Sequence, residues 1–442
     1  MKKSNSIIAV ALLTLIFAIG PASVMGAMTL SYQKTWGGPS VENAEGVAVA
    51  PDGSVYVVGG TNSFGTGAAE GDSDAFLLKY APNGTLLWQR TYGTGRSEPF
   101  LAASEVATDV AVGDGGAAVY VTGFSATGHA FLAKFDSGGN LVWQAGWGGD
   151  GFELPEAVAV APDGNIYMTG FTNSFGAGQQ DAFLVKFTAA GTMLWDRTWG
   201  GAGFDAAKDV AVAGDGSVYV AGDTNSFFAN DAFLLKYAPD GNILWERDWR
   251  EGTIEDISGA LGVATAPDGS VYVTGLASIN LVGQNIFLLK FTSAGNLVWE
   301  KTWGARLDAA LGLAVGPDGN IYVTGNTGYG EGNGDAFVVK FLSNGKAKHA
   351  STWGGANNES GQAIATGADG AVYVAGVASA PPYVFDRAPT RTKTPDAFLA
   401  IPAGTVTAPA ASQTAPAATV LTPNGSQTFA GATDAFLLKI LP

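Results

Sequence analysis

The chain has 442 residues, 63 of them glycine, no cysteine, 47% hydrophobic content and only 14% charged residues. A formal charge of −16 without any local Lys/Arg cluster argues against a nucleic-acid partner. The lack of cysteine removes disulfides, thiolate nucleophiles and Cys-based metal centres, and many glycines with 11% aromatics at low charge favour an all-β chain rich in tight turns.

Residues 1–26 read as a secretory signal peptide: Lys2 and Lys3, an apolar run over 7–19, then Pro21 and small residues. The run is short for a membrane span, so no span is expected in the mature chain, a retained anchor being the alternative. From residue 28 the chain repeats itself. MTLSYQKTWGG (28–38) overlays on NLVWEKTWG (296–304), with Tyr32 in the place of Trp299. VAVAPDGSVYVVG (47–59) is a pair of β-rich runs around a Pro-Asp-Gly turn, and AFLLKYAPNGTLLWQRTY (75–92) is a second hairpin. Asp-Gly returns at Asp52, Asp114, Asp163, Asp215, Asp268, Asp318 and Asp369, each followed by a tyrosine. An [Asp/His/Asn]-x-Phe phrase follows at Asp74, His129, Asp181, Asp231, Asn285 and Asp335, and finally at Asp396 or Asp434. An aromatic closes each repeat at Tyr92, Trp147, Trp199, Trp249, Trp303 and Trp353, before glycine except at Arg250.

The period within a repeat is two, and four strands in about 52 residues make one propeller blade. The fold predicted is therefore an all-β, seven-bladed β-propeller of four-stranded antiparallel blades. Residues 28–38 form a fourth strand lacking its first three, and DAFLLKILP (434–442) is a third strand lacking its fourth. Joined, they complete the last blade and cover two open edges. The first strands are small and aliphatic, as the axis requires, and the Trp-bearing fourth strands lie outside. One face carries near-identical turns; the other carries the variable connections and is the expected binding face.

These phrases carry a resemblance. TNSFGAGQQDAFLVKF (172–187), LWDRTWGG (194–201) and APDGNIYMTG (161–170) resemble the SBBP (seven-bladed β-propeller) repeat family over nearly all of residues 28–442. The DGxxY hairpins resemble NHL and quinoprotein-type propellers more distantly. The resemblance implies one propeller domain over 28–442 in an exported prokaryotic surface or extracellular protein. The chemistry stays open, because propellers host binders and enzymes alike. Residues 378–433 depart from the pattern as an insertion in the last blade, including an Ala/Thr/Pro-rich run over 402–423. Asp434 is taken as the start of the true third strand because its phrase keeps Lys439. Sequons stand at Asn83, Asn358 and Asn424.

No nucleophile elbow, HExxH or Walker sequence occurs, and His129 and His349 have no metal-binding spacing. One constellation remains. Six residues past each closing aromatic stand Glu42, Glu98, Glu153, Asp205, Glu255 and Glu359, with Asp308 five past Trp303. These acids lead into the innermost strands around one mouth of the channel. Either each carboxylate accepts backbone hydrogen bonds and fixes the start of its strand, or the ring holds a hard cation such as Ca²⁺ or a cationic group of a partner. No other cofactor is expected. The function expected is an exported, monomeric, non-enzymatic scaffold that binds a protein, glycan or cation at the cell surface. A hydrolase or lyase using paired carboxylates is the alternative.

Overall fold

A computed structural model describes residues 28–65, 73–93, 104–226, 231–249, 257–279, 283–303, 308–328, 334–354, 358–379, 419–422, 425–428 and 433–442. The signal-like segment 1–26 lies outside the described residues. Seven four-stranded antiparallel sheets are present among them. Blade 1 consists of Glu42–Val49, Val55–Thr61, Asp74–Tyr80 and Leu86–Tyr92. Blade 2 consists of Val106–Gly113, Ala118–Phe124, Ala130–Asp136 and Leu141–Trp147, and blade 3 of Glu153–Val160, Ile166–Thr172, Asp181–Phe187 and Met193–Trp199. Blade 4 consists of Asp205–Val212, Val218–Thr224, Asp231–Tyr237 and Ile243–Trp249, and blade 5 of Ile257–Thr265, Val271–Ile279, Gly283–Phe291 and Leu297–Trp303. Blade 6 consists of Ala309–Val315, Ile321–Asn326, Ala336–Phe341 and Ala347–Trp353. In blade 7, Glu359–Thr366, Val372–Ser379 and Thr433–Leu441 are joined by the N-terminal strand Thr29–Trp36. Each first strand touches the first strands of both neighbouring blades, and the circle closes between blades 7 and 1.

The closing ladder runs from Thr29 opposite Leu441 to Trp36 opposite Ala435. The phrase at Asp434, not the one at Asp396, is thus the third strand, and it pairs with Val372–Ser379 along its length. Between Ser379 and Thr433, the strands Thr419–Thr422 and Gly425–Thr428 pair only with each other. Half of this small hairpin falls within the Ala/Thr/Pro-rich run.

Two repeated devices hold neighbouring blades together. The third-strand lysine lies over the second-strand tyrosine, as for Lys186 on Tyr167 at 5.1 Å. In six blades it donates to a turn carbonyl of the next blade, while Lys340 donates to Asp318 of its own blade. Lys186 reaches Pro239 O at 2.9 Å, and Lys439 reaches Pro82 O across the closure at 3.2 Å. Lys439 therefore marks a true third strand for a physical reason. The closing aromatic packs on the third-strand phenylalanine of the following blade, with centroids 4.4 Å apart for Trp147 and Phe183.

A third device shapes the channel. Every first strand has a bulge at its third, fourth or fifth residue, opposite a second-strand glycine. A Cβ on that glycine (Gly59, Gly170 or Gly222, for example) would overlap the first strand's carbonyl oxygen. The close approach needs glycine, and the bulge re-aims the extra residue. The seven extra residues are Glu45, Thr108, Glu156, Lys208, Leu261, Leu311 and Gln362, all half-buried.

Candidate functional site

The structure puts the described members of the predicted acidic ring at the starts of the first strands, but not open to the channel. Glu42, Glu153 and Asp205 have no exposed surface, and Asp308 and Glu359 are almost as buried. Their oxygens accept hydrogen bonds. Glu42 accepts from Gly38 N at 2.7 Å and Thr61 Oγ1 at 2.9 Å. Glu153 accepts from Gly149 N, Thr172 Oγ1 and Ser174 Oγ, and Asp205 from Gly201 N, Thr224 Oγ1 and Ser226 Oγ. Asp308 accepts from Gly328 N at 2.9 Å. The Thr-Asn-Ser phrase after the second strand supplies these hydroxyls. Carboxylates so enclosed cannot touch a substrate. Among the described residues, no group of three or more His, Cys, Asp or Glu side chains is arranged to hold a metal ion.

Glu98 and Glu255 lie outside the described residues. The sheet register assigns their expected position to other residues. In blade 2, Ala107 pairs with Gly123 as Ala44 pairs with Gly59, which makes buried Glu105 the counterpart of Glu42. In blade 5, Ala260 pairs with Gly275, so the counterpart is buried Ser258. Counting from the aromatic fails there because the preceding connections are longer.

The groups that do face the channel come from the bulges. Lys208 Nζ lies 2.8 Å from Glu156 Oε1. Burial pushes the Glu45 carboxyl above its ordinary range, and the charge of Glu156 adds to that. Glu45 belongs to blade 1, Glu156 to blade 3 and Lys208 to blade 4, and only a shared channel lets blade 1 act on blade 3. Asp109 and Asp209 follow in the same way. Asp109 accepts from Val158 N of blade 3 at 2.9 Å, and Asp209 from Val263 N of blade 5 at 2.7 Å. Burial raises Asp109 to about 7 and Asp209 to about 8, against the backbone bonds that favour their ionised forms. Sequence reading passed over these residues because they precede aliphatic stretches that read as filler. A charge one or two residues before each VAV core was the available signal.

Beside the channel, on the variable-connection face of blades 2 to 4, stands an aromatic wall. Phe152, 39% exposed, lies between Phe124 and Phe171 at 6.1 and 6.2 Å. Lys208 Nζ sits 5.6 Å from the centre of the Phe171 ring, linking the wall to Glu156. Asp223 joins from the second strand of blade 4; burial raises its carboxyl and Lys208 lowers it. Phe175 and Phe204 are exposed on adjoining connections, at 42% and 43%. The site is an apolar ledge ending in a Lys–Glu–Asp cluster.

A family model and one solved structure agree with the architecture. Residues 316–347 match the family described as "Domain of unknown function (DUF5122) beta-propeller". The regulatory protein FlaEY of Caulobacter vibrioides is 31% identical over 193 residues, covering 37% of this chain and 20% of FlaEY. The chain thus spans about a fifth of that relative's length. Among solved structures, a chain of the mitotic checkpoint complex superposes with TM-score 0.54 at 11% identity, covering 84% of this chain and 96% of that one. A protein of unknown function from Bacteroides caccae gives TM-score 0.40 at 14% identity, covering 63% and 90%. The seven closed sheets, together with the likeness to the checkpoint-complex chain, make the protein a seven-bladed β-propeller.

Proposed function

We propose that this chain is an exported, non-enzymatic scaffold of the SBBP repeat kind, which binds a protein partner at the channel mouth of blades 2 to 4. The observation that carries the reading is Phe152, held exposed between two other phenylalanines and backed by the Lys208–Glu156 pair. Exposed aromatics beside a charged pair match the composition of protein contact surfaces. Phenyl rings without hydroxyl or indole N–H suit apolar side chains better than sugars. The exported location rests on residues 1–26 and is an expectation from sequence alone.

The test is a photo-crosslinking residue at position 152, with a control at Asn165 on the repeated-turn face. Mature protein is incubated with the surface fraction of its host, with and without Phe171→Ser and Lys208→Glu. A discrete adduct from position 152 that both substitutions abolish supports the reading. Equal labelling from both faces, or selective retention on a glycan array, would overturn it.

A further inference from the structure

In blades 1, 2, 3, 4 and 7 the first strand begins beside the phrase that starts the third strand of the blade before it. Glu105 N donates to Ser73 O at 2.8 Å, Glu153 N to Gly128 O at 2.8 Å, Asp205 N to Gln180 O at 3.0 Å and Glu359 N to Gly334 O at 2.7 Å. At the ring closure, Val41 bridges Thr433. At these five junctions two side chains are thereby brought together: the acid that opens the first strand, and the Asp or His of the preceding phrase.

The glycine after the closing aromatic shows how close they are. A Cβ on Gly37 would stand under 3.0 Å from both Asp434 Oδ1 and Glu42 Oε2. The same holds at Gly200 for Asp181 and Asp205, and at Gly354 for Asp335 and Glu359. Two buried carboxylates at such range cannot both be ionised without large cost. At three other junctions the sequence does not place two acids: His129 precedes Glu153, Asn285 precedes Asp308, and Ser258 follows Asp231. The junction that lost its acid to Ser258 also follows the one aromatic without a glycine, at Arg250.

Glu42 has the environment of a carboxylate, with a backbone N–H and a hydroxyl aimed at it. Asp434 does not: its Oδ1 is buried and has no hydrogen-bond partner. From its own strand, Lys439 points away to Tyr373 and Asp369, and Lys34 on the N-terminal strand pairs with Leu437, farther along. The charge that acts on Asp434 is Glu42, which adds to the effect of burial. A cation fits poorly, because the donors around Glu42 present their positive ends and no third His, Cys, Asp or Glu side chain stands with the pair among the described residues.

We propose that Asp434 and Glu42 share one proton, Asp434 being the carboxylic acid that donates to the Glu42 carboxylate, and that this proton latches the closed ring. Burial and Glu42 raise Asp434 to about 6, above an unfolded carboxyl. The native ring then holds a proton that the unfolded chain releases. The latch is intact below the unfolded value and is lost as pH rises through about 6.

The experiment compares denaturant unfolding of the full chain with Asp434→Asn between pH 4.5 and 8. The amide keeps the shape and supplies the donor found at Asn285. Relative to the variant, the wild-type folding equilibrium constant should fall about tenfold or more over this range. A proton held by the native state alone weakens folding about tenfold for each pH step between the unfolded and folded carboxyl values. The variant should be the more stable at pH 8. A constant difference across pH overturns the proposal. On the folded wild type, the Asp434 carboxyl ¹³C resonance should move near pH 6, and a carboxylate shift already at pH 5 overturns it independently. A melting increase with Ca²⁺ at pH 7.5, reversed by chelator and missing in Asp434→Asn, would replace the proton with a cation.

Discussion

At the junction of blades 1 and 2 the closing aromatic is Tyr92, where the other described junctions use tryptophan. Its ring centre lies 6.0 Å from Phe131, against 4.3 to 4.5 Å for the Trp–Phe pairs at Trp36, Trp147, Trp199, Trp249 and Trp353. Beside it lies a partly open pocket of about 180 Å³ lined by Tyr92, Phe76, Val121, Phe131 and Phe135. Tyr92→Trp adds two heavy atoms to that space, worth about 1 to 1.5 kcal/mol at ~0.8 kcal/mol per buried CH₂. The hydroxyl bond from Tyr92 to Gln144 is not lost without replacement. Trp36 Nε1 donates to the equivalent Gln89 at 3.0 Å, so an indole at 92 has the same acceptor. We expect unfolding in urea to shift by about 1 kcal/mol and melting to rise by about 2 °C. The converse change, Trp147→Tyr, should cost a similar amount by opening a gap against Phe183. A Tyr92→Trp protein no more stable than wild type, alongside a harmless Trp147→Tyr, would refute the reasoning that the gap is a packing defect.

Starting the chain at Pro39 instead of Met28 removes a full closing ladder and the buried Trp36 and Met28, on the order of 5–10 kcal/mol. Calorimetry should show a large drop in melting temperature, with recovery when a 28–38 peptide is added. Gly354→Ala places a Cβ against Asp335 and Glu359 and should lose about 2 kcal/mol or more by denaturant titration. Glu45, Asp109, Asp209 and Asp223 all have raised carboxyl values, so the native state binds protons that the unfolded state releases. Stability should therefore fall as pH rises from about 4 to 8. The turn acids Asp52, Asp215 and Asp268 are lowered by Ser N–H bonds and act oppositely, losing their contribution as pH drops below about 4. A melting maximum near pH 5 is expected, and one above pH 7 would contradict the channel assignments. Deleting 402–428 removes two strands that pair only with each other, so melting should stay within about 1 °C.

Blade number, strand order and the closure of the last blade were all legible in the sequence. They depend on local, repeated signals: alternation, Pro-Asp-Gly turns, and the Asp-x-Phe and Trp-Gly phrases at regular spacing. The closing pairing was readable because strand four at one terminus and strand three at the other each matched an internal copy. What only the tertiary structure decided is where side chains from different blades meet. A fixed count from the aromatic pointed to Glu98 and Glu255, while the register selects Glu105 and Ser258, because hydrogen bonding and not loop length sets position in a sheet. The three bulges that turn Glu45, Glu156 and Lys208 into the channel are marked only by a charge ahead of the VAV core and by a glycine on a different strand. Nor does a repeat show, taken alone, that its Asp faces the acid of the next one. Asp434 and Glu42 are nearly the whole chain apart in sequence, and ring closure alone makes them neighbours.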